Sequence, residues 1–597
     1  MKKIVKFFVF GGIIFTITII INILYYVKKL PDNINDINII EIYDDNNTLI
    51  NTYYNNQEKS LISLNNIDKN FINYLLKIED KNFYNHHGFD LLRTIKVFFT
   101  NFFSSNKQGA STISQQLSRN LFLTNDKTYE RKINELFYSL ILEKKYSKDQ
   151  ILEAYLNNIY LGNGIYGYKD ACINYFNNDG NSLNNYQILF LLSLIKNPSL
   201  INDETKLLDS IENLSNILNI NYIKEEFYNH NKKNYNGNYF YYDYLLSYIK
   251  KYKIEKPYDL KIYSNINTNL TSYSYNLFSN SNSTAQMSMV AIEPFTGKIK
   301  AILGSNNYNN SSYNRAIYSN RQIGSTVKPF NYYNALNYGF NPTTKLLSSK
   351  LVINNEVINN FKDQYENDYI TMAYALATSD NIYSVKTHMY LGMDKLKILL
   401  EKLHFNNVKE DIYLALGNNE SSLLTLTNAY NVVASLGKDV KYKFINKIIY
   451  NNDIVYESLN DEEQLLNSKL SYLLIELMNN TFDPNLRVNI SPTGSSISYN
   501  LTKKYAGKSG LTDYDSYFIG FNNKLLIGVW TGYDDNILLS NSNDLVNSKT
   551  IWYKSIEFYL KDYDNTWYET PNGVIKKYVN PSGLKTDYKK YLYYLKE

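Results

Sequence analysis

Residues 324–330 read Gly-Ser-Thr-Val-Lys-Pro-Phe, and this stretch decides the fold of the C-terminal half of the chain. Ser325 and Lys328 stand three residues apart, a spacing that places a hydroxyl and an amine on one face of a helix. A neutral lysine in that position can accept the serine proton. The pair alone is a weak signal, because Ser104–Lys107 repeats the spacing by chance. Its meaning depends on the motifs around it.

Two further short motifs follow the first in a fixed order. Residues 379–381 read Ser-Asp-Asn, and residues 507–510 read Gly-Lys-Ser-Gly. With Ser325 and Lys328 they resemble the S-x-x-K, S-x-N and K-T-G motifs of the penicillin-binding transpeptidase family. The flanking segments agree with this resemblance: 313–316 (YNRA), 321–323 (RQI) and 530–533 (WTGY).

The resemblance implies an acyl-transfer site built on Ser325. The Ser325 hydroxyl would attack the carbonyl between two terminal D-alanines, with Lys328 as its base. Ser379 would relay a proton to the leaving amine, and Asn381 would hold the substrate amide. A neutral Lys328 requires desolvation or a neighbouring positive charge, and Lys508 is expected to supply part of that charge.

A second group of residues implied by the resemblance binds the substrate. Lys508 and Ser509 would hold the terminal carboxylate, and the N–H groups of Ser325 and Leu511 would form the oxyanion hole. Ser509 stands where the family has Thr, which keeps the hydroxyl, and Leu511 replaces a small or hydroxyl residue. The second departure is expected to alter the fit of peptides or β-lactams.

Strand patterns surround these motifs. Residues 286–303 and 517–533 each contain two apolar runs joined by a turn, which predicts two hairpins. We therefore expect one sheet assembled from both ends of the domain, with helices between them. A third hairpin is predicted at Ile39–Tyr54, around an Asp-Asn turn.

The N-terminal half has a helical pattern and four motifs of its own. Between residues 68 and 197, apolar residues recur at three- and four-residue steps. The motifs are 79–90 (EDKNFYNHHGFD), 109–120 (GASTISQQLSRN), 131–135 (RKINE) and 151–157 (ILEAYLN). They resemble the peptidoglycan glycosyltransferase family, which has a lysozyme-like helical fold, and only Ala110 and Ser114 depart from its motifs.

Sugar transfer from a lipid diphosphate requires a base for the acceptor hydroxyl and positive charge beside the departing diphosphate. The resemblance implies Glu79 as the general base and Glu135 as the second carboxylate of the site. The cations that it implies at the diphosphate are Arg119, Lys127, Arg131 and Lys132. Further substrate contacts are implied at Ser111, Gln115 and Gln116.

The two halves together resemble a class A penicillin-binding protein. That resemblance implies polymerisation of lipid II into glycan strands and cross-linking of D-Ala-D-Ala stem peptides. A β-lactamase shares the serine motifs but would need neither the N-terminal motifs nor an anchor. A lytic muramidase would use paired carboxylates, but it has no use for the basic residues around Glu135. A non-catalytic β-lactam sensor or scaffold is opposed by the complete motif sets.

A membrane anchor is predicted at the N-terminus. Residues 7–27 contain no charged side chain and, at about 1.5 Å per residue, reach about 31 Å, enough to cross a bilayer core. The exit, YYVKKLPDN, lacks a small-x-small cleavage site, which favours an uncleaved anchor over a signal peptide. The resemblance implies a single-pass protein of the cytoplasmic membrane with both catalytic domains on the extracytoplasmic side.

Composition bounds the remaining choices. A length of 597 residues with 44% hydrophobic residues indicates a multidomain globular chain, and a net charge of +5 is too small to indicate a nucleic-acid partner. Cys172 is the only cysteine, which excludes an intramolecular disulfide and a multi-cysteine metal site, and we interpret it as a small buried residue. The motifs require no cofactor, although a divalent cation at the diphosphate is compatible with them.

The sequence therefore predicts a multidomain α and α/β chain. It would comprise a transmembrane helix, a lysozyme-like helical glycosyltransferase domain and a serine transpeptidase domain with an antiparallel sheet and helices. The predicted divisions are 1–6 (cytoplasmic N-terminus), 7–27 (anchor), 28–60 (linker and hairpin), 61–200 (glycosyltransferase), 201–283 (connector), 284–550 (transpeptidase) and 551–597 (tail). Membrane lipid and, as covalent inhibitors, β-lactams are the further implied partners; the motifs name no partner in division or elongation.

Overall fold

The computed structural model describes most of the chain. The described residues are 16–18, 20–28, 30–55, 57, 59–103, 111–123, 128–224, 236–249, 259–281, 283–353, 355–459 and 461–596, with side chains throughout except at 98–103. The predicted anchor, 7–27, lies partly outside these residues, and 16–18 and 20–28 are helical. Within the described part of the chain, no helix is both long and apolar enough to cross a membrane.

The predicted N-terminal hairpin is confirmed. Strands β1 (Ile39–Tyr43) and β2 (Leu49–Tyr54) pair antiparallel. Asp44 shapes the turn, because its Oδ1 accepts the backbone N–H groups of Asn46 and Thr48 at 2.9 and 2.8 Å. Asn47 adopts a left-handed φ of 59° there, a conformation that Asn tolerates.

The helical prediction for the N-terminal half is also confirmed. Its helices are α1 (Lys69–Glu79), α2 (Leu91–Phe103), α3 (Ile113–Phe122), α4 (Tyr129–Lys145), α5 (Lys148–Asn158), α6 (Tyr168–Phe176), α7 (Asn185–Lys196) and α8 (Glu204–Leu218). Capping boxes begin α3, α5 and α7, so local sequence fixes where these helices start. Leu207, Ile211 and Leu214 of α8 belong to the same core as α7, so the helical domain continues past the predicted boundary at residue 200.

The segment predicted as a connector contains more structure than expected. It holds α9 (Asn238–Ile249), strand β3 (Asp259–Ser264) and α10 (Thr268–Ser279). The prediction of short helices is confirmed, whereas β3 was not predicted. Its sequence, DLKIYS, alternates buried and partly exposed residues over only six positions.

The remaining elements follow in chain order. They are β4 (Gln286–Glu293), β5 (Lys298–Leu303), α11 (Arg315–Tyr318), β6 (Arg321–Gln322), α12 (Lys328–Asn337), β7 (Lys345–Ser348), β8 (Leu351–Ile353), β9 (Glu356–Ile358), β10 (Asp368–Thr371), α13 (Met372–Thr378), α14 (Asn381–Leu391), α15 (Met393–Lys402), β11 (Glu420–Ser421), α16 (Leu423–Ala434), β12 (Lys438–Val440), β13 (Ile445–Tyr450), β14 (Asp453–Glu457), β15 (Glu462–Gln464), α17 (Ser468–Asn479), β16 (Ala506–Leu511), β17 (Asp515–Phe521), β18 (Leu526–Gly532), α18 (Ser542–Leu560), β19 (Val574–Val579) and β20 (Lys590–Leu595).

The central sheet of the C-terminal half has the predicted construction. Five strands lie in the order β16-β17-β18-β4-β5, and every neighbouring pair is antiparallel. Both of its hairpins were predicted. Glycines in the sheet let helices pack against it: a Cβ on Gly528 would lie 2.3 Å from Thr427 Oγ1 of α16, and one on Gly520 would lie 2.4 Å from the Trp552 ring of α18. The sheet is therefore covered by α16 and α18.

A second five-stranded sheet joins distant parts of the chain. Its order is β14-β13-β3-β1-β2, with β1 parallel to β3 and β3 antiparallel to β13. The N-terminal hairpin, the connector and two strands of the C-terminal half thus share one set of backbone hydrogen bonds. Ile42 of β1 and Ile262 of β3 are fully buried in the core of this sheet.

Candidate active sites

Glu79 lies at the C-terminal end of α1 and is held by Gln116 of α3. Gln116 Nε2 donates a hydrogen bond of 3.0 Å to Glu79 Oε2. The buried Tyr155 hydroxyl donates to Gln116 Oε1 at 3.1 Å, so the carboxamide oxygen is occupied and its nitrogen turns to the carboxylate. Gln116 therefore orients Glu79.

Asp80, the neighbour of Glu79, ties α1 to the start of α3. Its side chain is fully buried, and Asp80 Oδ2 accepts the Ile113 N–H and His86 Nε2, each at 3.0 Å. Sequence reasoning did not identify this residue, although it belongs to the Glu-Asp pair that opens the first motif. His86 has the structural hydrogen-bonding role that a lone histidine most often takes.

Glu135 is the second carboxylate, and two cations of its own helix pair with it. Its side chain is 1% exposed, with Arg131 Nη1 2.8 Å from Oε1 and Lys132 Nζ 2.5 Å from Oε2. Lys132 Nζ also donates to Ser111 Oγ at 2.8 Å. Since Ser111 and Gln116 flank the first turn of α3, both carboxylates face the beginning of that helix.

The other predicted contacts of this site lie in different places. Gln115 closes the capping box with Thr112, so its carboxamide oxygen accepts a backbone N–H at 3.0 Å. Arg119 lies in the last turn of α3, beyond Gln116. Lys127 lies outside the described residues.

Ser325 lies in a 3₁₀ turn, Gly324–Val327, that leads directly into α12 at Lys328. The Lys328 N–H donates to the Ser325 carbonyl three residues before it, so the two motif residues lie one 3₁₀ turn apart. Gly324 has a φ of 52°, and Gly417 packs so closely that a Cβ on it would lie 1.9 Å from Gly324 O. The serine turn is thus fixed by its glycines.

Lys328 is fully buried and faces the second motif. Its Nζ donates to Asn381 Oδ1 at 2.6 Å and to the Ser379 carbonyl at 2.7 Å, with Ser379 Oγ at 3.3 Å. Burial lowers the pKa of Lys328 to about 7, opposed by the negative charge of Asp380. Burial therefore lowers the pKa of Lys328 without the contribution that was expected from the positive charge of Lys508. Among the described residues, the Ser325 hydroxyl forms no hydrogen bond.

Lys508, on β16, also contacts Ser379. Its Nζ donates to Ser379 Oγ at 2.9 Å and to the Ser509 carbonyl at 2.7 Å. Burial, and then the positive charges of Lys328 and Lys549, hold the pKa of Lys508 well below its usual range. Ser379 has a left-handed φ of 64°, so the backbone of the second motif turns sharply between the two lysines.

Two residues outside the predicted set shape this second motif. Asp380 caps α14 through the Tyr383 N–H at 2.7 Å and accepts Ser348 Oγ at 2.5 Å. Asn360 donates to Asp380 at 2.7 Å and accepts the Asn381 N–H at 2.7 Å. Asp380 was visible in the Ser-Asp-Asn motif, whereas Asn360 carries no sequence signal.

The predicted oxyanion residue Leu511 lies beside the serine turn. A Cβ on Gly324 would lie 3.0 Å from Leu511 O, so the end of β16 contacts the turn. The flanking segments form ion pairs: Arg315 with Asp534 through two hydrogen bonds, and Arg321 Nε with Asp515 Oδ1 at 2.8 Å. The flanking segments thus hold the structure around the site in place through these ion pairs.

Cys172 is fully buried, and burial raises the pKa of its thiol, which agrees with the interpretation of a small core residue. Across the part of the chain that the structure describes, no three His, Cys, Asp or Glu side chains gather as a metal site.

Comparison with known proteins identifies both halves. A transglycosylase family matches residues 46–220, and a penicillin-binding protein transpeptidase domain matches residues 287–516. Penicillin-binding protein 2D of Bacillus subtilis (strain 168) is 34% identical over 90% of this chain and 84% of its own length. Penicillin-binding protein 1A of Aquifex aeolicus (strain VF5) is 28% identical over 91% of this chain and 89% of its own length.

A solved structure has the same overall fold. The crystal structure of penicillin-binding protein 1A from Haemophilus influenzae matches 94% of this chain and 98% of that chain, with a TM-score of 0.62 at 16% identity. The two family matches, the motif order and the relatives matched over 84% and 89% of their own length all indicate the same family. The chain is therefore a class A penicillin-binding protein, a bifunctional peptidoglycan glycosyltransferase and transpeptidase of cell-wall synthesis.

Proposed function

We propose that the enzyme polymerises lipid II with Glu79 as general base and cross-links D-Ala-D-Ala stem peptides through an acyl-enzyme on Ser325. The observation that carries the proposal is the pair of preassembled sites: Gln116 holds Glu79 at 3.0 Å, and Lys328 lies buried between Ser379 and Asn381. Each site thus has a group that can accept a proton and that is held in place by hydrogen bonds.

In the first reaction, the hydroxyl of one sugar attacks the anomeric carbon of another. Glu79 takes the hydroxyl proton as the new C–O bond forms, and the bond to the lipid diphosphate breaks. Lys132 is half-exposed and bonded to Ser111, so it can reach a phosphate oxygen while Arg131 holds Glu135 in place. Arg119 and Lys127 are proposed as the further cations.

A divalent cation at the diphosphate is part of this proposal only as an ion bound by the phosphates of the substrate. The oxygens of Glu135 are already paired with Arg131 and Lys132. No step of the mechanism is therefore assigned to a metal.

In the second reaction, neutral Lys328 accepts the Ser325 proton while Ser325 Oγ attacks the peptide carbonyl. The last D-alanine leaves as an amine, to which Ser379 relays a proton, and an amine of a second stem peptide then displaces the ester. A carboxylate bound at Lys508 would raise the pKa of that lysine again, because an opposite charge favours the ammonium form. Lys508 and Ser509 are proposed to hold the substrate in this way, with Ser325 and Leu511 N–H groups as the oxyanion hole.

We also propose a single-pass anchor at 7–27 with both domains outside the cytoplasmic membrane. Exposed apolar side chains on two helices that contribute to this site support a lipid-facing surface: Leu92 is 82% exposed on α2, and Ile133 is 69% exposed on α4. This surface suits a substrate that carries a lipid chain.

The proposal is tested with purified full-length protein in detergent, lipid II and labelled penicillin. Glu79→Gln should abolish glycan polymer on gels, whereas Glu212→Gln, an exposed position on α8, should not. Mass spectrometry should find the penicilloyl adduct on Ser325 in the wild type and none after Ser325→Ala. Polymerisation by Glu79→Gln, or an adduct in Ser325→Ala, would reject the corresponding assignment.

A further inference from the structure

Two asparagines close the open end of the hairpin β1–β2. Asn38 precedes β1 and Asn55 follows β2, and both have left-handed φ values, 59° and 52°. The Asn55 N–H donates to Asn38 O at 2.9 Å, and Asn38 Nδ2 donates to Asn55 Oδ1 at 3.2 Å. The pair is therefore a rigid unit at one end of the hairpin.

The same two side chains cap a helix of the glycosyltransferase domain. Asn38 Nδ2 lies 2.7 Å from the carbonyl oxygen of Leu121, and Asn55 Nδ2 lies 2.7 Å from that of Asn120. Both carbonyls belong to the last turn of α3, where intrahelical partners run out. Asn38 is fully buried, so its hydrogen bond is shielded from water.

Helix α3 is also the helix on which the first active site depends. Gln116, which orients Glu79, lies one turn before Asn120, and Arg119 directly precedes Asn120. A shift of the last turn of α3 would therefore displace both side chains.

The opposite end of the hairpin is attached to the transpeptidase domain. Lys300 Nζ on β5 lies 3.2 Å from Asp45 Oδ2, and both side chains are nearly buried, at 8% and 11% exposure. The Asp45 N–H donates to Ile266 O at 3.0 Å. The hairpin thus spans from the end of α3 to the second catalytic domain.

We propose that Asn38 and Asn55 are positioning residues for glycan polymerisation, because they fix the C-terminal end of α3 to a strut anchored in the transpeptidase domain. The inference rests on the proposed roles of Glu79 and Arg119. It assigns a consequence for the rate of polymerisation to two residues of the hairpin, which lie outside the helices of the glycosyltransferase domain.

The test uses isosteric changes, Asn38→Asp and Asn55→Asp, in the full-length protein. A carboxylate keeps the shape of the side chain but has no N–H to donate to a carbonyl. Because active-site displacements of about 1 Å change rates by roughly 100-fold, we expect kcat for lipid II polymerisation to fall roughly 10- to 100-fold. We also expect KM to rise, since Arg119 moves away from the diphosphate. Penicillin acylation of Ser325 should be unchanged.

Asn47→Asp is the matched control. Asn47 has the same left-handed conformation as Asn38 and Asn55, and the substitution introduces the same negative charge at the exposed turn of the hairpin. It should polymerise at the wild-type rate. Asn38→Gly keeps the backbone conformation without burying a charge, and it should change kcat and KM in the same direction.

The KM measurement separates positioning from simple instability, because loss of folded chains lowers apparent kcat and leaves KM unchanged. Wild-type kcat and KM in Asn38→Gly and Asn55→Asp, or a fall in kcat alone, would overturn the inference. Polymerisation by Glu79→Gln would instead overturn the proposed function, and the two failures are thus distinguishable.

Discussion

At the residue scale, the account depends on a lysine made neutral by burial. Lys328 has a pKa lowered to about 7, and it can accept the Ser325 proton only in the uncharged form. The fraction of uncharged amine rises with pH through this value. Burial is the larger cause of the shift, and the negative charge of Asp380 opposes it and so reduces the fraction of uncharged amine.

We therefore expect the rate of Ser325 acylation by penicillin to rise about tenfold per pH unit below about pH 7 and to level off above it. Stopped-flow measurement of acylation between pH 5 and 9 checks this. Asp380→Asn should move the midpoint to lower pH, because the charge that favours the ammonium form is removed. A pH-independent rate would contradict the assignment of Lys328 as the base.

The roles of single residues were only partly predictable. The motifs identified Ser325, Lys328 and Lys508. The side chains of the two lysines both donate hydrogen bonds to Ser379 Oγ. The motifs gave no indication of Asn360, because its function arises from a contact across 21 residues of chain that no short pattern records.

At the element scale, the serine turn depends on the contact between two glycines. Gly417→Ala would place a Cβ 1.9 Å from Gly324 O, at a φ of 85° that Ala resists. We expect the substitution to displace the turn, to reduce penicillin acylation at least tenfold and to lower the free energy of unfolding by about 1–3 kcal/mol.

Gly339→Ala is the control for this prediction. Gly339 has a φ of 95° and no atom within 4 Å of its added Cβ, so the change carries only the backbone penalty of about 1 kcal/mol. Acylation kinetics and thermal unfolding of both variants separate the two effects. Wild-type acylation by Gly417→Ala would show that the turn does not depend on this contact.

Elements with local signals were predicted well, and elements defined by distant partners were not. The three hairpins and the helices of the N-terminal half follow from apolar periodicity and turn residues. Strand β3 was missed because its six residues pair with strands that are distant in the chain. Strand β1 lies about 220 residues before β3, and β13 lies about 180 residues after it. Such pairing cannot be derived from local pattern.

At the scale of the whole molecule, the second sheet links the transpeptidase domain to the N-terminal hairpin, and the hairpin in turn contacts the end of α3 in the helical domain. Ile262→Ala at the fully buried centre of β3 should lower the free energy of unfolding by about 2–5 kcal/mol. Because β3 pairs with both the N-terminal hairpin and β13, heat inactivation of polymerisation and of acylation should shift to lower temperature together.

Lys261→Ala, at a partly exposed position of the same strand, should change stability by no more than about 0.5 kcal/mol. Activity remaining after stepwise heating is the measurement for both variants. A shift in only one of the two activities would show that the sheet does not couple the domains.

The central claim is that one chain carries two separate reaction centres. It is tested most directly by a gel that reports glycan length and cross-linking for Glu79→Gln, Ser325→Ala and their equal mixture. We expect no polymer from the first variant, uncross-linked polymer from the second, and cross-linked polymer only from the mixture or the wild type. Cross-linked polymer from either variant alone, or none from the mixture, would contradict the account.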